Sequence, residues 1–188
     1  KNKEKLKNID IIYDNDVKNA FKGIIYYLGN ENPKSVIDNN IIDIIASSVV
    51  STGQNNQPQN IVDFDRNDYK FFSKNENNSW ICYDFKDKKV KLSHYTIRST
   101  TWSYNVDHLQ NWCIEASNDA KQWKILSIVR NEKSLIYPTS FNTFKIEKNS
   151  SSSEYFRYIR LRQDGLNTGN DNVLGLAAFE LFGSILKS

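Results

Sequence analysis

Residue types that carry out acid–base or nucleophilic chemistry are scarce in this chain. It contains two histidines, His94 and His108, and two cysteines, Cys82 and Cys113. His94 and both cysteines fall inside apolar segments that predict strands, and no base is identifiable beside either thiol. The chain also lacks a nucleophile elbow, a zinc-protease histidine pair, a phosphate loop and a dinucleotide-binding glycine pattern. We therefore expect a protein that is not an enzyme.

One acidic segment has the spacing of a cation ligand set. Asp63, Asp65 and Asn67 place oxygen atoms at alternate positions, as at the start of an EF-hand loop. An EF-hand is excluded, because Asp68 stands at the glycine position and Lys74 stands where a bidentate glutamate is required. An acidic, solvated turn is the simpler interpretation.

Composition favours a folded domain with a modest charge. The chain has 188 residues, of which 39% are hydrophobic and 25% charged, and its net charge is +3. This length supports one well-buried core. The basic excess is small and dispersed, which argues against a nucleic-acid partner, and no apolar run reaches membrane-spanning length.

The cysteines and the start of the chain bear on localisation. Because Cys82 and Cys113 lie within apolar segments, we expect two reduced, buried thiols and a reducing compartment. No secretory leader is visible in the charged start, and the chain contains no methionine. We expect a piece of a longer cytoplasmic protein, with cytoskeletal or ciliary association left open.

The elements that position these residues begin with one helix. Apolar residues recur at helical spacing from Val17 to Leu28, after the capping residues Asp14 and Asp16 and before Gly29. Residues 30–40 are predicted to be a linker. We therefore divide the chain into an N-terminal helical segment with its linker, residues 1–40, and a β domain, residues 41–188.

From Ile41 onward the sequence has β character. Short strands separated by polar turns, without helices between them, predict an antiparallel sandwich or barrel. Trp80, Trp112 and Trp123 are predicted to fill its core. Arg160 and Arg162 share one strand face and could reach a carboxylate, although an outer sheet face is favoured. The predicted strands are Ile41–Val50, Ser79–Phe85, Val90–Ser99, Asn111–Ser117, Trp123–Val129, Phe141–Glu147, Tyr155–Arg162 and Val173–Phe182.

Four segments together resemble the discoidin family, also called the coagulation-factor C-type domain. They are residues 79–85, 112–123, 156–163 and 178–183, and they occur in the family's order. The resemblance implies an all-β, antiparallel jelly-roll sandwich of the galactose-binding-like type that binds partners and does no chemistry. It is nearest to intracellular protozoan members in which the domain follows a BTB domain and its helical extension, and residues 21–28 resemble the end of that extension.

The resemblance also implies where a ligand would bind. In this family, ligands meet loops at one end of the sandwich, here residues 51–57, 73–78, 100–108 and 164–172. Trp102 could also fold back to cap the core. A structural calcium, the one cofactor considered, would take Asp63, Asp65, Asp68 and Glu180. The predicted ligand-binding residues are Trp102, Tyr104, Asn105, His108, Asn55, Asn56, Asn167 and Asn170.

Three functions fit these observations. The leading hypothesis is an intracellular protein–protein interaction module of an adaptor or scaffold, such as one that recruits a ubiquitin ligase. The alternative is a lectin-like, carbohydrate-binding domain in which Trp102, Asn105 and His108 form the sugar site. Membrane-surface binding is disfavoured, because the loop tips are mostly polar and apolar insertion would be shallow.

Overall fold

The protein is a sandwich of two antiparallel sheets in the computed structural model, which describes residues 8–50 and 53–187. The predicted all-β class is confirmed. One sheet has the order β1 (Asn8–Ile11), β11 (Ala178–Lys187), β5 (Lys88–Arg98), β8 (Phe141–Lys145). The other has the order β2 (Asp43–Ala46), β4 (Trp80–Asp84), β9 (Tyr158–Gln163), β6 (Trp112–Ser117), β7 (Lys124–Val129). A short pair joins β3 (Phe71–Phe72) to β10 (Gly175–Leu176).

Large rings with polar tips fill the space between the sheets. Tyr83, Tyr95 and Trp112 are each at most 1% exposed. The Tyr83 hydroxyl donates to the Phe179 carbonyl at 2.6 Å, and the Trp112 indole N–H donates to the Tyr95 hydroxyl at 3.0 Å. Each ring therefore buries its apolar area without leaving its polar tip unpaired.

The alternation predicted for β9 is confirmed, but two of the three tryptophans predicted for the core lie elsewhere. Ile159 and Leu161 are buried, and the arginines between them point outward. Trp112 is in the core. Trp80 and Trp123 are only partly buried and flank Arg160, whose guanidinium lies 3.8 Å from the centre of the Trp123 ring. An arginine stacks on an aromatic face at little cost, so these rings are covered without entering the core.

The predicted helix from Val17 to Leu28 is broken into two parts. Val17–Asn19 forms a 3₁₀ turn capped by the Asp16 carboxylate, and α1 (Ile24–Leu28) follows. Gly23 interrupts the helical run with a non-helical backbone (φ −99°, ψ −145°) and lies against β11, where an added Cβ atom would stand 2.1 Å from the Leu181 carbonyl oxygen. Helical spacing alone does not reveal this close approach.

The N-terminal segment packs on the same core as the rest of the described chain. β1 pairs with β11, and Ile24 and Ile25 of α1 belong to the main cluster of buried residues together with Val36. Val36 lies in α2 (Ser35–Asp38), a short helix within the predicted linker. Residues 8–40 therefore contribute to the core of the sandwich.

Two strands were missed by the sequence analysis, β1 and β3. Both are short, at four and two residues, so neither shows the sustained alternation that predicts a strand. Two 3₁₀ helices, Gln54–Asn56 and Pro58–Val62, lie between β2 and β3. Within the described residues, no helix has the length and apolarity needed to cross a membrane.

Candidate recognition site at the loop end

Four connections meet at one end of the sandwich. They are residues 47–79 between β2 and β4, 99–111 between β5 and β6, 130–140 between β7 and β8, and 164–177 between β9 and β11. Backbone hydrogen bonds fasten these connections to one another. Asn105 N–H donates to the Ile136 carbonyl at 2.8 Å, and Thr168 N–H donates to the His108 carbonyl at 2.9 Å. These hydrogen bonds hold the loops in fixed positions relative to one another, so that the loop end forms one surface. Residues 51–52, within one predicted loop, lie outside the described residues.

Aromatic rings project from this end. Trp102 is 38% exposed and packs its inner face on Phe72, with ring centres 5.0 Å apart. Tyr104 and Tyr137 are 56% and 58% exposed, and their ring centres lie 4.9 Å apart. We call Trp102, Tyr104 and Tyr137 the aromatic surface. Trp102 thus covers Phe72 and still offers an open face. The exposed Val106 and Leu166 lie at the same end.

Tyr137 is a member of this surface that the sequence analysis missed. It lies in the connection from β7 to β8, which was not among the predicted binding loops. The signal available in the sequence was an aromatic residue beside Pro138 in a polar turn. Tyr137 contacts Tyr104 because two loops lie side by side in the fold. The spacing of residues in the sequence does not predict that contact.

His108 does not face a ligand as predicted. It is 1% exposed, and its Nε2 atom lies 2.9 Å from the Ser103 carbonyl oxygen, with which it shares a hydrogen bond. Its Nδ1 atom is buried and has no hydrogen-bond partner within the described chain. The ring fixes the loop that carries Trp102 and Tyr104 from beneath, so its role is to support the surface.

Asn167 is likewise an internal support and not an exposed ligand group. It is 1% exposed, and its amide donates to Asp171 Oδ1 at 2.7 Å and to the Val173 carbonyl at 3.0 Å. Its Oδ1 atom accepts from the N–H groups of Gly169 and Asp171 at 2.9 and 3.2 Å. All its polar capacity is used within the turn, which leaves nothing for a surface ligand.

The remaining predicted asparagines lie on or near the surface. Asn105 and Asn170 are exposed and adopt positive φ angles of 57° and 66°, a conformation that asparagine tolerates at turns. Asn55 is exposed and Asn56 is half-buried. The Asn55 carbonyl accepts from Lys70 N–H at 3.1 Å, which ties this loop to the strand under Trp102. The structure therefore gathers these four residues at the end that carries the aromatic surface.

Two acidic residues, Asp107 and Asp171, interact electrostatically between two loops of this end. Asp107 is half-buried, and its Oδ1 atom lies so close to Gly169 that an added Cβ atom would stand 1.7 Å away. Burial raises the pKa of the Asp107 carboxyl, and the Asp171 carboxylate raises it further. The absence of a side chain at Gly169 thus leaves room for the Asp107 carboxyl in its present position.

The four residues predicted to bind calcium are not brought together. Among the described residues, no three His, Cys, Asp or Glu side chains cluster in a way that could hold a metal ion. Glu180 is fully buried, and its oxygens accept hydrogen bonds from Gly23, Ile25 and Tyr26 N–H at the start of α1. Asp68 pairs instead with Arg66 at 2.8 Å. The glutamate that was predicted to bind the metal is therefore hydrogen-bonded to the N-terminus of α1 instead.

Arg160 and Arg162 do reach a carboxylate, but it belongs to the same chain. On the outer face of the five-stranded sheet, Glu115 accepts from Arg160 Nε and from Arg162 Nε and Nη2. Burial raises the pKa of Glu115, but the bonds from Arg162 and Arg160 lower it more, so that the pKa lies below its usual value. This network occupies the arginines, which makes their role structural.

The two thiols are placed as the sequence predicted. Cys82 and Cys113 are free and buried, and burial raises the pKa of each to about 12. Both remain protonated at neutral pH and are weak nucleophiles.

Comparison with solved structures identifies the fold. The CBM32-5 module of CpGH89 from Clostridium perfringens, in complex with GalNAc-β-1,3-galactose, superposes with a TM-score of 0.59 and 14% identity over 76% of this chain and 96% of that one. A fucolectin from Morone saxatilis gives 0.59 and 16%, covering 76% of this chain and 47% of that one. A Streptococcus pneumoniae fucose-binding module gives 0.55 and 19%, covering 74% and 89%. The chain has the jelly-roll fold of galactose-binding-like, discoidin-type domains.

Sequence comparison gives a different set of relatives. No family model matches the chain. It is 30% identical over 115 residues to the E3 ubiquitin-protein ligase Ufd4 of Drosophila melanogaster, which covers 61% of this chain and 4% of that protein. It is 24% identical over 188 residues to the E3 ubiquitin-protein ligase hecd-1 of Caenorhabditis elegans, covering 98% of this chain and 7% of that protein. The chain thus spans under a tenth of the length of these two relatives.

Proposed function

We propose that this galactose-binding-like domain is a non-catalytic recognition module that binds a protein partner through its aromatic surface. The observation that carries the proposal is the exposure of Trp102, Tyr104 and Tyr137 on loops that are bonded to one another. Exposed rings on a rigid support lose little conformational entropy on binding and tend to dominate interface energetics.

A protein partner is favoured over a sugar by the polar groups that accompany the rings. A sugar site needs polar side chains that converge on an aromatic platform. Two of the predicted polar groups, on His108 and Asn167, are turned inward and bonded to their own loops. The rings are accompanied by the exposed apolar side chains of Val106 and Leu166. That composition resembles the apolar centre of a protein interface.

The longer protein that we envisage is an intracellular adaptor or scaffold that brings a partner to a ubiquitin ligase. Support for this context comes from the two E3 ubiquitin-protein ligases to which the chain is similar. Two unpaired, buried thiols are consistent with a reducing compartment.

Carbohydrate binding is the second candidate, and the structural neighbours favour it. Two of the structurally similar modules, both from Clostridium perfringens, are in complex with GalNAc-β-1,3-galactose and with galactose. In this chain, Trp102 would serve as the platform, with Asn105 as the nearby polar group.

Site-specific photo-crosslinking tests the proposal. A benzophenone amino acid replaces Tyr104 in one variant and Tyr27 in a control, because Tyr27 is 41% exposed and lies near the start of β5, at the opposite end. We expect position 104, and not position 27, to crosslink one defined protein in an extract of the source cells. Adding Trp102→Ala to the position 104 variant should abolish that product. Equal crosslinking from both positions would refute the proposed site.

A glycan array with the unaltered chain separates the two candidates. Binding to a defined sugar that Trp102→Ala removes would replace the protein hypothesis with the carbohydrate one. An array without signal, together with a specific crosslink at position 104, would support the protein partner.

A further inference from the structure

A cleft lies away from the aromatic surface, on the four-stranded sheet toward the opposite end of the sandwich. Its volume is about 440 Å³. The lining is apolar at the floor, where Leu92 and Ile146 are each 5% exposed. The rim carries Lys91, Lys145 and Lys148. No acidic residue is among the residues that line it.

The cleft exists because β8 leaves β5 early. β8 pairs with β5 only as far as the contact of Lys145 with His94, and Ile146 N–H then donates to the Ser93 carbonyl at 2.8 Å. The chain rejoins β5 where Phe156 bridges Val90. The segment between these two points bows outward and leaves part of β5 uncovered on that side.

A side-chain network holds this outward segment in shape. The Asn149 carboxamide oxygen accepts from Ser151 and Ser152 N–H at 2.9 and 3.0 Å, and Asn149 N–H donates to the Ser152 hydroxyl at 3.0 Å. Lys91 extends over the Tyr155 ring, with Nζ 5.0 Å from its centre. The cleft is therefore preformed and does not depend on a ligand for its shape.

Its positive charge is not neutralised within the described chain. Lys91, Lys145 and Lys148 make no salt bridge there, whereas the nearby Glu154 pairs with Lys124 at 2.7 Å. Burial lowers the pKa of His94, and Lys145 lowers it further, as expected where positive charge is concentrated. Three ammonium groups that lack a carboxylate partner, arranged around an apolar floor, form an environment that attracts anions.

We propose that this cleft binds an acidic peptide segment of a partner protein, with one apolar side chain on the floor and flanking carboxylates against the lysines. Charge complementarity selects acidic residues, and the buried floor selects an apolar one. A membrane surface fits less well. Membrane binding uses apolar side chains that project outward, but Leu92 and Ile146 are recessed beneath the lysines.

The test measures fluorescence anisotropy of a labelled peptide in which glutamates flank a leucine. The binding variant is Lys145→Glu with Lys148→Glu, since both side chains are exposed and their replacement leaves the core intact. The matched control is Lys121→Glu with Lys133→Glu, which makes the same change in net charge at exposed positions outside the cleft. A peptide with glutamine in place of glutamate, and vesicles containing phosphatidylserine, complete the comparison.

We expect the cleft variant to bind the acidic peptide about tenfold more weakly, while the control variant stays within about twofold of the unaltered chain. The glutamine peptide should bind weakly to the unaltered chain and to both variants. An equal loss of affinity in both variants would show that the peptide responds only to net charge, and it would overturn the proposal. So would unchanged binding by the cleft variant. Vesicle binding that only the cleft variant loses, without peptide binding, would assign the cleft to a lipid surface instead.

Discussion

The carboxylate of Glu180 lies 3.0 Å from the backbone nitrogen of Gly23, across 157 residues of sequence. The same carboxylate accepts from Ile25, Tyr26 and Leu181 N–H at 2.7 to 3.0 Å. These bonds satisfy donors at the start of α1 that the short helix leaves unpaired. One buried side chain on the last strand therefore fastens the N-terminal segment to the sandwich.

Replacing this carboxylate by an amide should be costly. In Glu180→Gln, the amide nitrogen would face two backbone N–H donors and could accept from neither. We expect a loss of about 2–4 kcal/mol in the free energy of unfolding, measured by urea denaturation at about pH 9, where the carboxyl of the unaltered chain is ionised. Glu147→Gln is the control, because Glu147 is exposed. A Glu180→Gln protein as stable as the control would contradict the assigned role.

The pH dependence of stability should show how far burial of the Glu180 carboxyl opposes its ionisation. Burial raises the pKa of Glu180 from its ordinary 4.5 to about 8, although the four N–H donors oppose the shift. The folded state then retains a proton to higher pH than the unfolded chain, so stability falls as the pH rises through this window. Because the pKa of His94 is lowered, this residue makes the stability rise with pH up to about pH 6.5. The effect of Glu180 is therefore measured above about pH 7.

The comparison is between urea midpoints at about pH 7 and about pH 8.5. The unaltered chain should become less stable, and Glu180→Gln should change less over the same interval. A midpoint that rises with pH in the unaltered chain would show that the Glu180 carboxyl is already ionised at neutral pH.

The alternating strands could be predicted from sequence because burial on one face is a local pattern. β6, β7 and β9 were placed to within three residues at each end, and β9 keeps its apolar residues inward as expected. The cation ligands could not be predicted in the same way. Whether Glu180 meets a metal or a helix depends on Gly23, which approaches it from the far end of the chain.

The exposed and buried residues of the candidate site could be distinguished only in part for a similar reason. Trp102 and Tyr104 stand in a polar loop where rings are conspicuous, and they are exposed. His108 and Asn167 have the same polar character as their exposed neighbours. Their burial follows from hydrogen bonds within their own loops, which composition does not encode.

Removal of the exposed rings should separate binding from folding. Tyr104→Ala removes a side chain that is 56% exposed, so we expect a change in stability of less than about 1 kcal/mol. Trp102→Ala should cost more, about 1–2 kcal/mol, because it uncovers Phe72. Both should abolish capture of the protein found by crosslinking at position 104. Full capture by a folded double variant, judged by circular dichroism, would exclude the aromatic surface as the binding site.

The network on the outer sheet face should be sensitive to loss of its carboxylate. Glu115 is 4% exposed and neutralises two arginines, so Glu115→Gln leaves their charges without a counter-ion. We expect a loss of about 3 kcal/mol at neutral pH, against no measurable loss in Glu76→Gln at an exposed site. Because the pKa of Glu115 is lowered in the folded state, its contribution is present above about pH 4.5 and lost on acidification. Equal acid sensitivity of the variant and the unaltered chain would contradict this account.

The two thiols give a direct test of burial in solution. Cys82 is 4% exposed and Cys113 is 0% exposed, and a pKa of about 12 keeps both protonated at neutral pH. A disulfide-exchange reagent such as Ellman's reagent reacts with thiolates that it can reach. We therefore expect no release of thionitrobenzoate from the native protein, and two equivalents in guanidinium chloride from the 2 cysteines. One fast equivalent from the native protein would place a reactive thiol on the outer sheet face. It would also remove one support for a reducing compartment, since a thiol so exposed would be open to oxidation.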